Sequence, residues 1–502
     1  MNKAVFFLIL ILIFLCCSRQ SSGPGNDAFQ LNTDKDLREI EAGLEKGIPT
    51  LMNEFAIPGL SIGLVRNDEV AWLGAFGVTN TETKQRINDD TVFEAASLSK
   101  PVFAYLILKL IGRGILSLDI PLAEYAAPDI LKKKFWGPDF NDLRGQKITA
   151  RLVLNHSTGL PNWRDDDTIK FGSDPGRKFS YSAEAFFYLQ VVVENMTGRK
   201  LPELMQTEVF GPLGMTQSSY IWQPGFEGNS AYRHDVMGEV RGLRRHTKAL
   251  GPASLQTTAR DYALFLKALM SGEGLKEVNH REMLRAQSTY GREGYEGVDW
   301  GLGTGLERSE HGTGIWHWGD NAYAQAFYLT SPDRKTGFVY FANGPCGLAI
   351  AGEIAQIAMG GRHPVMSCGI MRPYLAVGKS IPPLIFELKN GALEKAKDIV
   401  QKNILPYIGQ QSIYNETLLN DIGSWFLNEG SVLEAIEIFK LNMEAYPGSW
   451  IVYDSIAEAY EKSGNVDLAV KNCIKSLELN PDNENGKQMI ERLKAAPKKR
   501  KP

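Results

Sequence analysis

"FEAASLSKPVFAYLIL", residues 93–108, sets two serines and a lysine at the head of a run that is otherwise apolar. Pro101 marks where the run turns helical, because its ring is tolerated in a first helical turn and breaks a later one. Beyond it Val102, Phe103, Leu106, Ile107, Leu108, Leu110 and Ile111 surround most of a helical circumference, so this helix is expected to be central and buried. A lysine at its head is costly unless something pairs with it. On a helix, positions three apart share a face, so Ser97 and Lys100 can touch. An unassisted hydroxyl is a weak nucleophile. A lysine that gives up its proton in a dry site, or stays charged beside a developing anion, would assist it, and the helix start adds free N–H groups. Taken alone, the pattern is equally an N-cap serine with a snorkelling lysine. Ser99 is the rival hydroxyl, but it faces away from the Ser97–Lys100 side.

The chain around this stretch has 502 residues, 43% of them hydrophobic, and a formal net charge of −3. That is enough to bury more than one core. There is no charge bias that would draw it to nucleic acid. At the N-terminus, residues 1–25 read as an export signal: "AVFFLILILIFLCC" (4–17) is short for a spanning helix, which needs about 20 residues, and a polar stretch follows. The Cys16-Cys17 pair leaves three outcomes open: acylation of Cys17 with membrane attachment, simple cleavage, or an uncleaved anchor. The expected location is the exported side, periplasm or cell envelope. Cys346, Cys368 and Cys473 have wide, odd spacing that suggests neither a disulfide framework nor a metal site, and they read as buried thiols.

From residue 35 to 365, strand-like runs ("LSIGLVRN", "VAWLGAFGV", "AQAFYLTS", "GFVYFANG") mix with helical ones without a regular alternation. This implies an α+β body, an antiparallel sheet flanked by helices with a helical subdomain. Residues 366–385 read as a linker. Over 386–495 a period of 34 appears, with Ile422 recurring as Ile456, Gly430 as Gly464, Ala435 as Ala469 and Pro447 as Pro481. Such a period marks a helix-turn-helix repeat, its small residues placed where helices approach and its prolines between units. The units "LNDIGSWFLNEGSVLEAIEIFKLNMEAYP" and "YDSIAEAYEKSGNVDLAVKNCIKSLELNP" resemble tetratricopeptide repeats. So few units are expected to lean on the first domain, and the resemblance implies a surface for a protein partner. The closing "KKRKP" reads as a solvated tail.

Four stretches follow the opening one in order: "ITARLVLNHSTGLPNW", "RKFSYSAEAFFYLQVVVENMTG", "GPASLQTTARDYALFLKAL" and "GIWHWGDNAYAQAFYLTSPDRKTGFVYFAN". Together with Ser-x-x-Lys they resemble the serine hydrolases related to class C β-lactamases and penicillin-binding proteins. The resemblance implies Ser97 as acylated nucleophile, Lys100 as its activating partner and Tyr181 as general base. For that role the tyrosine's ordinary pKa of about 10 would have to be lowered by cationic neighbours. His317, of His317-Trp318-Gly319, would hold a substrate carboxylate or an intermediate's charge. Gly319 lets a substrate lie close, and the N–H groups of Ser97 and Asp320 form the oxyanion hole, each donor contributing about 2.7 to 4 kcal/mol. One position departs from the pattern: Ala183 stands where the family's Tyr-x-Asn element has an amide, which puts lactam binding in doubt. The "NHSTGLP" and "LQTTARDYALF" stretches read as architectural. No metal-ligand spacing, Walker loop or Gly-x-Ser-x-Gly elbow occurs, so no metal or cofactor is implied. The expected activity is hydrolysis of an ester or amide (small molecule or peptide) through a Ser97 acyl-enzyme, with esterase or D-amino-acid peptidase favoured over efficient β-lactamase. The alternative is a non-catalytic envelope protein that uses the pocket for a ligand and the repeats for a partner.

Overall fold

All four of the apolar runs quoted from the first domain form strands, and both faces of the sheet they build are covered. The computed structural model describes residues 35–164, 169–289, 297–309, 312–407 and 416–495; the N-terminal apolar run with Cys16-Cys17 and the closing basic tail lie outside them. The strands in chain order are β1 (Gly59–Arg66), β2 (Glu69–Gly77), β3 (Phe93–Glu94), β4 (Gln256–Thr257), β5 (Ser288–Thr289), β6 (Val298–Trp300), β7 (Gly305–Ser309), β8 (Gly312–Asp320), β9 (Gln325–Ser331) and β10 (Thr336–Ala342). Eight make one sheet in the order β2-β1-β10-β9-β8-β7-β6-β5, antiparallel throughout, and β3 pairs with β4 separately.

Alternate residues of these strands feed two different cores. Leu60, Ile62, Phe327, Leu329, Phe338 and Tyr340 join one core, while Ala326, Tyr328, Val339 and Phe341 join the other. Because each face meets helices, the period-2 alternation of a half-exposed strand is replaced by nearly continuous apolar sequence. On the first face lies helix α1 (Leu37–Glu54), which buries Ile40, Leu44, Ile48 and Met52. Its partner on that face is Ala351–Ala358. On the second face lies helix α2 (Ser99–Gly112), buried almost all round as its sequence implies. Beside it lies Ala259–Ser271, N-capped by Thr258. That helix sits so close to β1 that a Cβ at Gly63 would come within 2.8 Å of the Ala259 carbonyl.

The stretch 366–385 is not a linker. It lies mostly in a 19-residue helix, Met371–Lys389, whose Tyr374, Val377, Ile381, Leu384 and Leu388 are buried against the first face of the sheet domain. Gly378 and Pro382-Pro383 give it a breaker's composition. Within the helix the two prolines forgo N–H bonds to carbonyls four residues back, and apolar burial offsets that loss. The helices Thr417–Asn428, Val432–Ala445, Trp450–Lys462 and Val466–Leu479 follow as two successive hairpins, with Pro447 and Pro481 in the gaps. Ala435 and Ala469 are fully buried within their helices. Gly430 and Gly464 have a different role: both sit in the turns, at φ 82° and 78°, where only glycine is unstrained. The first hairpin shares its core with the sheet domain, so the helical region is built onto that domain. No described helix is long and apolar enough to cross a membrane.

Candidate active site

Ser97 sits in a single 3₁₀ turn, Ala96–Leu98, immediately ahead of α2, and not on the α-helix itself. The turn is wound tightly: Ala96 has φ 47°, in the left-handed region that disfavours a side chain. Two ties hold it. The Ala95 N–H donates to the Leu255 carbonyl at 2.9 Å. Ser99 is fully buried, donates to the Ala96 carbonyl at 2.5 Å and accepts from the Leu255 N–H at 3.0 Å. Ser99 is therefore a structural brace, whereas Ser97 is only half-buried.

Lys100 is 1% exposed. Its Nζ lies 3.0 Å from Ser97 Oγ and donates at 3.0 Å to the Pro252 carbonyl. Its third neighbour is the ring of Tyr181, whose centroid is 4.7 Å away. No carboxylate pairs with it among the described residues, so burial depresses its pKa well below the ordinary lysine value. A neutral amine can keep its bond to Pro252 and turn a lone pair to Ser97. Pro252 lies three residues ahead of the "LQTTARDYALF" stretch, and the sequence reading does not single it out. Its contribution is a backbone atom, and side-chain patterns do not reveal such contacts.

Tyr181 departs from expectation in charge state. Burial raises its pKa instead of lowering it, and Ser97 is close enough to counter that rise in part. Its hydroxyl is buried and makes no regular hydrogen bond with a described residue. Burial governs both groups: it raises the phenol and holds the neighbouring Lys100 amine well below its ordinary value. The ring is held between His156, at 4.3 Å between centroids, and Trp318, at 4.7 Å. His156 comes from the "NHSTGLP" stretch and has φ 56°. Its Nδ1 accepts from the Ser182 N–H at 3.1 Å, and its carbonyl accepts from the Ser180 N–H at 2.6 Å. The motif read as architecture thus grips the backbone on both sides of Tyr181. Burial, with Lys100 nearby, holds the His156 imidazole well below its ordinary range, so it is neutral.

Strand β8 completes the site. The ring of His317 lies 6.2 Å from that of Tyr181 and stacks on Trp318. Burial, then Lys100, pushes its pKa down to about 3. Burial thus favours the neutral imidazole near pH 7 in the free site, where the sequence reading places its change of charge near neutral pH. Gly319 is required by packing: a Cβ there would meet the Ala95 carbonyl at 2.5 Å and the Ala96 Cβ at 3.3 Å. The strand thus presses directly on the Ala96–Leu98 turn and brings the end of β8, with Asp320, beside Ser97. The Asp320 side chain turns away, accepting from the Tyr374 hydroxyl and the Ala322 N–H, both at 2.9 Å.

At the departing position, Ala183 opens the Ala183–Thr197 helix, capped by Ser182. Its N–H donates to the side-chain Oδ1 of Asn162 at 3.2 Å, and the Asn162 carbonyl accepts from Ala183 and Glu184 at 3.0 Å. The methyl offers Lys100 no hydrogen-bond partner, and the Pro252 carbonyl supplies one from another segment.

An antiparallel sheet carrying a Ser-x-x-Lys turn against the end of strand β8, with a tyrosine and a His-Trp-Gly segment around it, defines the transpeptidase-like class of serine enzymes. The chain belongs to the β-lactamase family, whose description is Beta-lactamase and whose match spans residues 44–355. It is similar to the esterase EstB of Burkholderia gladioli, 26% identical over 219 residues covering 37% of this chain and 53% of the esterase. It is also similar to the D-alanyl-D-alanine-carboxypeptidase/endopeptidase AmpH of Escherichia coli K12, 26% identical over 42% of this chain and 57% of the peptidase. The chain thus spans little more than half the length of these relatives. In fold it resembles the octameric penicillin-binding protein homologue from Pyrococcus abyssi, with a TM-score of 0.55, 21% identity, and coverage of 67% of this chain and 81% of that one.

Proposed function

We propose that the protein is a serine hydrolase that acylates Ser97 and prefers neutral esters to substrates that need a cation for their carboxylate. The observation that carries this is the buried, depressed Lys100 amine 3.0 Å from the Oγ of the half-buried Ser97. The Ser97 proton passes to Lys100 Nζ as Oγ bonds to the substrate carbonyl carbon. The carbonyl oxygen takes the negative charge and is received by the N–H groups of Ser97 and Asp320. On collapse the bond to the leaving group breaks, Tyr181 gives that group its proton, and Lys100 restores the phenol. Water then attacks the Ser97 ester by the same route and releases the acid. In this reading Lys100 is the base, and Tyr181, protonated, is the acid and relay. The ester preference rests on the neutral His317 and on Ala183, and the similarity to an esterase and a D-alanyl peptidase supports the reaction class.

The helical hairpins we assign to a tetratricopeptide-like surface for a protein partner, supported by the 34-residue period and by a groove lined by Met443, Tyr453, Tyr460, Leu468 and Ile474. The exported location rests on the N-terminal sequence. A fluorescent phosphonate probe tests the catalytic reading: wild type is expected to label and Ser97→Ala not. A wild type that is never labelled leaves the binding-protein alternative. A panel of p-nitrophenyl esters, a D-Ala-D-Ala peptide and a chromogenic cephalosporin then ranks substrates, and rapid cephalosporin turnover would overturn the weight placed on Ala183.

A further inference from the structure

The turn that follows β8, Asn321-Ala322-Tyr323, forms a lip directly beyond Asp320. It is wound unfavourably: Ala322 has φ 66°, a conformation that persists only where the surroundings enforce it. Three side-chain anchors enforce it. Asn321 Nδ2 donates at 3.0 Å to Glu94, a buried carboxylate three residues ahead of Ser97. The other two anchors come from the C-terminal helical region. Tyr374, on Met371–Lys389, donates at 2.9 Å to Asp320 Oδ2, whose other oxygen accepts from the Ala322 N–H. Asp421, on Thr417–Asn428, accepts the Tyr323 hydroxyl at 2.9 Å and an Arg241 N–H at 3.0 Å. The same Arg241 Nη2 reaches the buried Asp235 at 2.6 Å. Tyr374 and Asp421 thus hold the two ends of the turn, and the β8 end it continues is pressed against Ala95 and Ala96 at Gly319.

We infer that the C-terminal helical region is part of the catalytic unit, with Tyr374 and Asp421 acting as positioning residues that fix the β8 end and hence the Asp320 N–H beside Ser97. The inference rests on the hydrolase reading for its kinetic consequence but not for its structural one. An oxyanion donor works only in a narrow range of positions, and misplacement by about 1 Å can cost about 100-fold in rate. Neither residue touches substrate. Each acts through Asp320 or Tyr323.

The test uses the full-length chain with Tyr374→Phe, Asp421→Ala and Asp421→Asn, and Arg492→Ala as a control remote from the lip on an exposed ion pair with Glu461. Two quantities are read: the phosphonate labelling rate of Ser97 per labelled site, and amide hydrogen exchange over 320–323. Tyr374→Phe and Asp421→Ala are expected to slow labelling about 10-fold to 100-fold and to raise exchange in the lip. KM for an ester should move little while kcat falls. Asp421→Asn keeps one acceptor and is expected to recover most of the rate; Arg492→Ala should match wild type. Variants that lose Tm but keep the wild-type rate per labelled site would overturn the inference. If wild type itself is not labelled, the hydrolase reading fails, and the exchange result decides the structural claim: unchanged protection of the lip in both variants overturns it.

Discussion

At the scale of the residue, the proposed chemistry turns on the protonation of Lys100. The fold binds fewer protons at Lys100 than the unfolded chain does, because burial lowers its pKa from the ordinary 10.5. Stability contributed here therefore rises as pH climbs from the depressed value toward 10.5 and is least at low pH. Lys100→Met is accordingly expected to raise Tm at mildly acidic pH while abolishing acylation, which thermal unfolding and probe labelling on one sample will check. Tyr181 makes a different prediction, because a protonated phenol matters only when the leaving group needs a proton. Tyr181→Phe should lower kcat about 100-fold or more for an alkyl ester, and distinctly less for a p-nitrophenyl ester, whose phenolate departs unaided. Equal losses on both would return Tyr181 to the role of base in the first step.

At the scale of the element, the site depends on how closely β8 approaches the 3₁₀ turn ahead of α2. Gly319→Ala puts a methyl 2.5 Å from the Ala95 carbonyl. A forced shift of this kind costs about 1–3 kcal/mol and should slow labelling at least as much as it lowers stability. Ser99→Ala cuts the ties to Ala96 and Leu255 and should cost about 1–3 kcal/mol of stability, with Ser97 still labelled; chemical denaturation measures it. What could be read from sequence follows the same division. Ser97 and Lys100 announce themselves by their short spacing, and Tyr181 and Gly319 by the motifs that carry the family resemblance. The Pro252 carbonyl that supports Lys100 is a backbone atom with no such signature. His156 stood within a motif quoted as architecture, and only the fold brings its ring behind Tyr181. The 366–385 stretch misled because Gly378 and Pro382-Pro383 look like breakers, whereas burial of Tyr374, Ile381 and Leu384 keeps it helical.

At the scale of the whole molecule, the helical region and the hydrolase domain are joined by charge as well as by apolar contact. Asp421 and Tyr374 stand 98 and 54 residues from the lip residues they hold, a separation no local pattern bridges. Burial raises Asp421 to about 7, opposed by Arg241 and reinforced by Asp235 and Glu239; Tyr323 donates to it. An acid with a raised pKa binds more protons in the fold than in the unfolded chain. Its contribution to stability is therefore fully present below the ordinary carboxylate pKa and is lost as pH rises through about 7. Asp421→Asn should flatten the fall of Tm over that interval, and an unchanged slope would show that Asp421 is not the group responsible.

The whole account turns on a neutral Lys100 serving as base for Ser97, and the pH dependence of Ser97 phosphonylation tests it most directly. In wild type the rate should rise from acid pH along one limb and level off below the ordinary lysine range, with the adduct mapped to Ser97 by mass spectrometry. Lys100→Arg, whose guanidinium keeps its proton, should be about 100-fold slower or worse and show no such limb. A Lys100→Arg enzyme that labels as fast as wild type, or an adduct on any residue but Ser97, would contradict the account.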